Sequence, residues 1–120
     1  MIIRINGKEI AAYPSSFLVT TLDLDDAETT VRTADGTLNR DRIAVKQKIE
    51  MDFGPLEWDE ISSILQAVQD EFFEVYYPDP VLGTYTTKIF YVGDRPAAVA
   101  ISKGDGRIVW TGLKLSLIER

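Results

Sequence analysis

A chain of 120 residues with 45% hydrophobic and 27% charged side chains has the makeup of one folded domain and is too short for two ordinary ones. It contains neither cysteine nor histidine, which excludes disulfides, thiolate metal sites, thiol nucleophiles and the imidazole on which most metal centres, general bases and catalytic triads depend. A net charge of −6 argues against nucleic acid as a direct partner, since such proteins present a broad basic face, and no apolar run approaches the ~20 residues that cross a bilayer.

In chain order, Ile2–Asn6 and Lys8–Ala11 flank Asn6-Gly7. Asn-Gly between alternating residues predicts a hairpin, because both central positions of a type I′ turn need positive φ. The opening has no signal-peptide architecture, so synthesis and retention in a cytoplasm are expected. After a break at Pro14-Ser15-Ser16, Phe17–Leu24 reads as a strand with Leu18, Thr20, Leu22 and Leu24 on one side. Asp23, Asp25 and Asp26 close it. Their spacing lacks the glycine and distal glutamate of a calcium loop, so they read as a polar loop. Glu28–Thr33 is a modest strand and Asp35-Gly36 a turn. The polar connection from Arg32 to Arg42 reads either as an arm that orders only against a neighbour or as an ordinary exposed hairpin loop.

The segment Arg40–Tyr77 organises the rest. Arg42–Phe53 alternates, with Ile43, Val45, Ile49, Met51 and Phe53 on one face, interrupted only by Gln47. Ala44, Lys46, Lys48, Glu50 and Asp52 occupy the other. Gly54-Pro55 stops this strand. Trp58, Ile61, Leu65, Val68 and Phe72 then recur at helical spacing. One helix is therefore predicted from Pro55, whose missing N–H suits a first helical position, to about residue 70, with Trp58 as a core anchor. Glu57, Asp59 and Glu60 sit at the positive end of its dipole.

Phe73, Val75 and Tyr77 return to the strand period, and Pro78 and Pro80 are expected to end that strand. Tyr85–Val92 is the next strand, with Tyr85, Thr87, Ile89 and Tyr91 on one face, and Gly93-Asp94-Arg95-Pro96 the next turn. Ala97–Ser102 and Arg107–Trp110 flank the loop Lys103-Gly104-Asp105-Gly106. Val109–Leu117 reads as one last strand. The expected fold is mainly β with one α-helix (α+β). It is a single domain, 1–120, built as an antiparallel β-sandwich or partly closed barrel of about seven to eight strands with a single flanking helix.

No constellation supplies nucleophile, base and oxyanion donor. Gly104-Asp105-Gly106 lacks the Lys-Ser/Thr and helix start of a phosphate loop. Lys46 and Lys48 beside Glu50 read as cross-strand or solvated charges, and Asp94-Arg95 as a local ion pair. Tyr76, Tyr77, Tyr85 and Tyr91 read as the filling of a sheet face rather than a stacking platform. The expectation is a non-enzymatic protein with no catalytic residues, no metal site and no cofactor. Charge is unevenly placed. Ile49 to Thr87 carries nine acidic residues and no lysine or arginine, while the remainder holds all 13 basic residues. The plain reading is two solvated faces. The sharper reading is an interface between copies, with Arg32, Asp35, Arg40 and Arg42 meeting Glu57, Asp59 and Glu60.

Two segments carry a resemblance: Thr87-Lys88-Ile89-Phe90-Tyr91-Val92-Gly93-Asp94-Arg95, and Trp110-Thr111-Gly112-Leu113-Lys114-Leu115-Ser116-Leu117-Ile118-Glu119-Arg120. With Ile5-Asn6-Gly7 and Thr33-Ala34-Asp35-Gly36, the chain resembles short uncharacterised proteins of phages and prophages of Gram-positive bacteria. These are similar in length and element order to tail-tube and distal-tail proteins of long-tailed phages. The resemblance implies a β-sandwich with one flanking helix and a structural role in a tail. The implied partners are further copies of the chain, as a ring or oligomer, and other tail proteins, with no membrane involved. The implied location is the host cytoplasm during assembly and then the virion tail. A head–tail connector or tail-assembly protein of the same fold is the first alternative, and a carbohydrate- or ligand-binding β-sandwich the second.

Overall fold

The computed structural model describes residues 1–25, 31–32, 38–39, 42–93 and 98–120, with the side chains of 23–25, 31–32, 38–39 and 42–44 set aside. Its elements are β1 (Arg4–Ile5), β2 (Lys8–Glu9), β3 (Ser16–Asp25), β4 (Val31–Arg32), β5 (Leu38–Asn39), β6 (Arg42–Asp52), β7 (Leu56–Glu57), α1 (Trp58–Ala67), β8 (Phe73–Asp79), β9 (Thr84–Val92), β10 (Val99–Ser102), β11 (Ile108–Thr111) and β12 (Lys114–Glu119). A seven-stranded sheet runs β2-β1-β8-β9-β12-β6-β3, a three-stranded sheet runs β10-β11-β7, and β4 and β5 form a separate ladder. All pairings among the described residues are antiparallel.

The larger sheet is strongly curled. β9 and β12 lie between β8 and β6, yet the Tyr77 hydroxyl on β8 donates to Gln47 Oε1 on β6 across the concave face. The curl stops short of a closed barrel, because β2 and β3 remain separate edges. Its concavity holds the core: Ile49, Met51, Val75, Tyr77, Phe90, Leu115 and Leu117 are at most 1% exposed. Ile61 and Ile64 of α1, and Val68 just beyond its end, pack onto the same cluster. Each such side chain contributes about 1.5–3 kcal/mol on leaving water.

Local chemistry explains most elements. Asn6 has φ 52° and Gly7 φ 80°, the two positive values that a type I′ turn needs. The Asn6 side chain also accepts the Glu74 N–H at 2.9 Å, and its own N–H donates to the Glu74 carbonyl at 2.8 Å, tying the hairpin to the start of β8. Of the two segments quoted for the resemblance, β9 and β12 are neighbours, with Leu117 opposite Val92 and Ile118 opposite Tyr91.

The structure corrects three sequence expectations. The helix begins at Trp58 rather than Pro55, because Leu56 and Glu57 pair with Trp110 and Val109 as a strand. It ends at Ala67, and its inward stripe is Ile61 and Ile64, continued by Val68 at the C-cap. Trp58 is not a core anchor: it is 58% exposed, and Phe72 lies beyond the helix at 37%. The strand Phe73–Asp79 ends just before Pro80, within the stretch expected to end it, and Pro78 still lies in its ladder opposite Tyr85. β1 flanks β8 only at Val75 and Tyr76, so Pro78 stands at an edge, where a missing N–H is tolerated. Finally, Val109–Leu117 is not one strand. Gly112, at φ 75°, breaks it, sending Ile108–Thr111 into the small sheet and Lys114–Glu119 into the large one. Such a kink, in a conformation that side-chain-bearing residues rarely adopt, is where a chain changes sheets.

Candidate interaction surfaces

A cluster of interacting polar side chains lies inside the curl. Gln47, which interrupts the apolar face of β6, is 3% exposed and Asp79 likewise 3%. Gln47 Nε2 donates to Asp79 Oδ1 at 2.9 Å while its Oε1 accepts the Tyr77 hydroxyl. The Val81 N–H donates to the same Asp79 oxygen at 2.9 Å. Lys88 Nζ lies 3.8 Å from Asp79 Oδ2 and 3.4 Å from Glu119 Oε1. Burial works to raise the Asp79 pKa. The hydrogen bonds from Gln47, Val81 and Leu82 and the Lys88 charge outweigh it, so the carboxyl is held below its ordinary value. Tyr77 is pushed up, first by burial and then by Asp79 and Glu119. A carboxylate with its acceptors engaged and a phenol that resists ionisation offer neither base nor nucleophile. This cluster acts as a polar pin joining β6, β8, β9 and β12, and it rewards one strand register only.

Beyond Gln47 the environment of β6 changes. β12 pairs with it only from Lys48 to Asp52, whereas β3 follows it from Asp52 to Arg42. Residues 42–47 and 21–25 therefore form a two-stranded ribbon leaving the sheet. Val45, on the same face as buried Ile49 and Met51, is 47% exposed, and Leu22 is 37% exposed. The molecule measures 71 × 26 × 24 Å. Its radius of gyration is 18.4 Å, against ~14 Å for a compact domain of this length.

Of the residues singled out from sequence, Asp35 and Arg40 lie outside the described residues, as do the Asp94-Arg95 pair and most of the Glu28–Thr33 strand. Arg32 falls on β4 and Arg42 at the ribbon end of β6. Glu57, Asp59 and Glu60 gather at the start of α1. Glu60 Oε1 accepts the Glu57 N–H at 2.9 Å, one arm of a capping box. Glu57 Oε1 accepts from Arg107 Nη2 at 2.5 Å, and that guanidinium holds the Glu57 carboxyl below its ordinary value. Lys48 and Glu50 pair at 3.0 Å along β6. β6 carries about 36 Å of chain at ~3.3 Å per residue, so the ribbon's arginine and the helix's acids sit at opposite ends of it.

Sequence reasoning missed the second surface. Trp58 and Trp110 meet edge to face, with ring centres 6.0 Å apart. Together with Ile61, Leu65 and Ala98 they line an apolar cleft of about 470 Å³. The Trp110 Nε1 is shielded from solvent and has no acceptor among the described residues. Beside it, β10 is the outer strand of the small sheet, exposed along its whole length. The uncharged run Val99-Ala100-Ile101-Ser102 was the available signal. Of the tyrosines, Tyr76 and Tyr85 stack on each other at 5.1 Å, Tyr77 is buried, and Tyr91 meets Phe72 edge to face at 6.2 Å.

Among the described residues no group of acidic side chains is arranged to hold a metal ion, and no helix is long and apolar enough to cross a membrane. Compared with known proteins, residues 2–120 match the model of a family described as a family of unknown function (DUF6711). No curated protein and no solved structure matches the chain.

Proposed function

The chain belongs to this family of unknown function over nearly its full length, and from that premise we propose that it is a structural subunit of a phage or prophage tail, working by self-assembly and by contact with other tail proteins. It is made in the host cytoplasm and carried into the virion. It performs no catalysis and needs no cofactor. The carrying observation is the separation of charge along β6. Arg42 stands at the ribbon end and the Glu57, Asp59 and Glu60 cluster beyond the other. Groups set so far apart cannot meet within one chain, but a ribbon of one copy reaches the helix start of the next. That is a heterologous contact, the kind that closes rings or propagates filaments. A curled sheet pinned by buried polar bonds supplies the rigid body such a subunit needs.

The test is Arg40→Glu with Arg42→Glu, followed by size-exclusion chromatography with light scattering. Weaker assembly with an unchanged circular dichroism spectrum is the expected result. The same oligomer before and after the substitutions sinks the ribbon contact, and a strictly monomeric wild type at high concentration counts against self-assembly.

A further inference from the structure

We propose that β10 is a second, isologous docking edge, at which two copies of this chain pair antiparallel through Val99–Ser102 about a two-fold axis at Ala100. It is separate from the ribbon contact and does not depend on it. Natural sheets protect their edges with charge, proline, bulges or extreme shortness. β2, an edge of the large sheet, follows that rule, since it is only Lys8 and Glu9. β10 does not: its four residues carry no charge, and Val99 and Ile101 are 63% and 41% exposed. Its one partner among the described residues is β11, with Val99 opposite Thr111 and Ser102 opposite Ile108, leaving the outer row of N–H and C=O groups available to a strand.

The sequence of the edge selects a second copy as the occupant. Directly opposed residues in an antiparallel pair share a face, and the pleat alternates residue by residue. A two-fold axis must therefore pass through a residue and not between residues. Centring it on Ile101 sets Val99 against Lys103. Centring it on Ala100 sets Val99 against Ile101 of the second copy, twice over, and gathers four aliphatic side chains on the face that also carries Val109. On the other face Ala100 meets itself, and Ser102 of the second copy lies opposite Ala98, a wall of the tryptophan cleft. No pair in this register opposes like charges.

The natural absence of cysteine makes the test direct. Full-length single variants Val99→Cys, Ala100→Cys and Ile101→Cys are oxidised at low protein concentration and run on a non-reducing gel. Opposed Cβ atoms in such a pair are ~4.5–5.5 Å apart, close to disulfide reach. The expected result is homodimer from Ala100→Cys at least tenfold faster than from the other two, with Val99→Cys and Ile101→Cys cross-linking each other when mixed. A parallel series carries Arg40→Glu and Arg42→Glu, and the Ala100→Cys dimer persists there even where the ribbon contact fails. Equal rates at the three positions, no dimer at any, or loss of the dimer in the charge-reversed series overturns the proposal. Ile101→Lys, with its fold checked by circular dichroism, provides the second readout. It abolishes the dimer seen by light scattering if the edge pairs, and leaves it unchanged if the edge does not.

Discussion

The two halves of β6 make an instructive pair. From Lys48 to Asp52 the strand lies between β3 and β12, its inward side chains covered by the curl and by α1, and Ile49 and Met51 lose essentially all exposure. From Arg42 to Lys46 the same alternation continues, with β3 its one partner among the described residues, and Val45 is 47% exposed. Pattern and side-chain type hardly change; what changes is whether a facing layer exists among the described residues. A strand pattern states which side could be buried, and burial follows only where something stands opposite. The halves differ in role accordingly: one builds the body, the other reaches away from it.

The sharpest way to break this contrast is Ile49→Ala. Removing a fully enclosed side chain should cost about 3 kcal/mol, read as a lower urea midpoint. A loss under ~0.5 kcal/mol, the range of ordinary surface changes, would mean that the core half is not a core.

Next in size is the pin at the boundary. Asp79→Asn should cost about 2 kcal/mol at neutral pH, since a buried charge-assisted bond is weakened, and it should alter the acid response. The folded-state pKa of Asp79 is lowered relative to the unfolded chain. Its contribution is therefore present above the ordinary carboxylate range and lost as pH falls through the folded value. The wild type should consequently lose more stability than the variant between neutral and acid pH. Parallel stability curves for the two would remove Asp79 from the pin. Tyr77 has the opposite sign: its raised pKa gives a contribution that is full below the ordinary tyrosine range and fades as pH rises above it.

Gly112→Ala tests the joint between sheets and should cost about 1–2 kcal/mol, the penalty of a left-handed backbone with a Cβ. A neutral or stabilising result would show that the kink relaxes without glycine. Smallest of all, Val45→Ala should stay within ~0.5 kcal/mol. A loss approaching that of Ile49→Ala in a dilute monomer would place a facing layer over the ribbon after all.

By itself the sequence determined part of the secondary structure, because turn chemistry and alternation act over a few residues. Asn6-Gly7, the lone helix, the Phe73-Val75-Tyr77 face and the glycine-rich loop before β11 are all legible in it, and so is a mainly β class with a single helix. The interaction residues were legible only as charge and as an uncharged run. Tertiary structure decided the rest, for reasons that no short window contains. Whether Gln47 is a flaw or a pin depends on Tyr77 and Asp79, 30 and 32 residues away. Whether Trp58 anchors the core depends on Leu56 being drawn into a strand by Trp110. Whether Val109 and Leu113 share a strand depends on the angle between two sheets. In each case the deciding partner is remote in sequence, and only the folded chain brings it near.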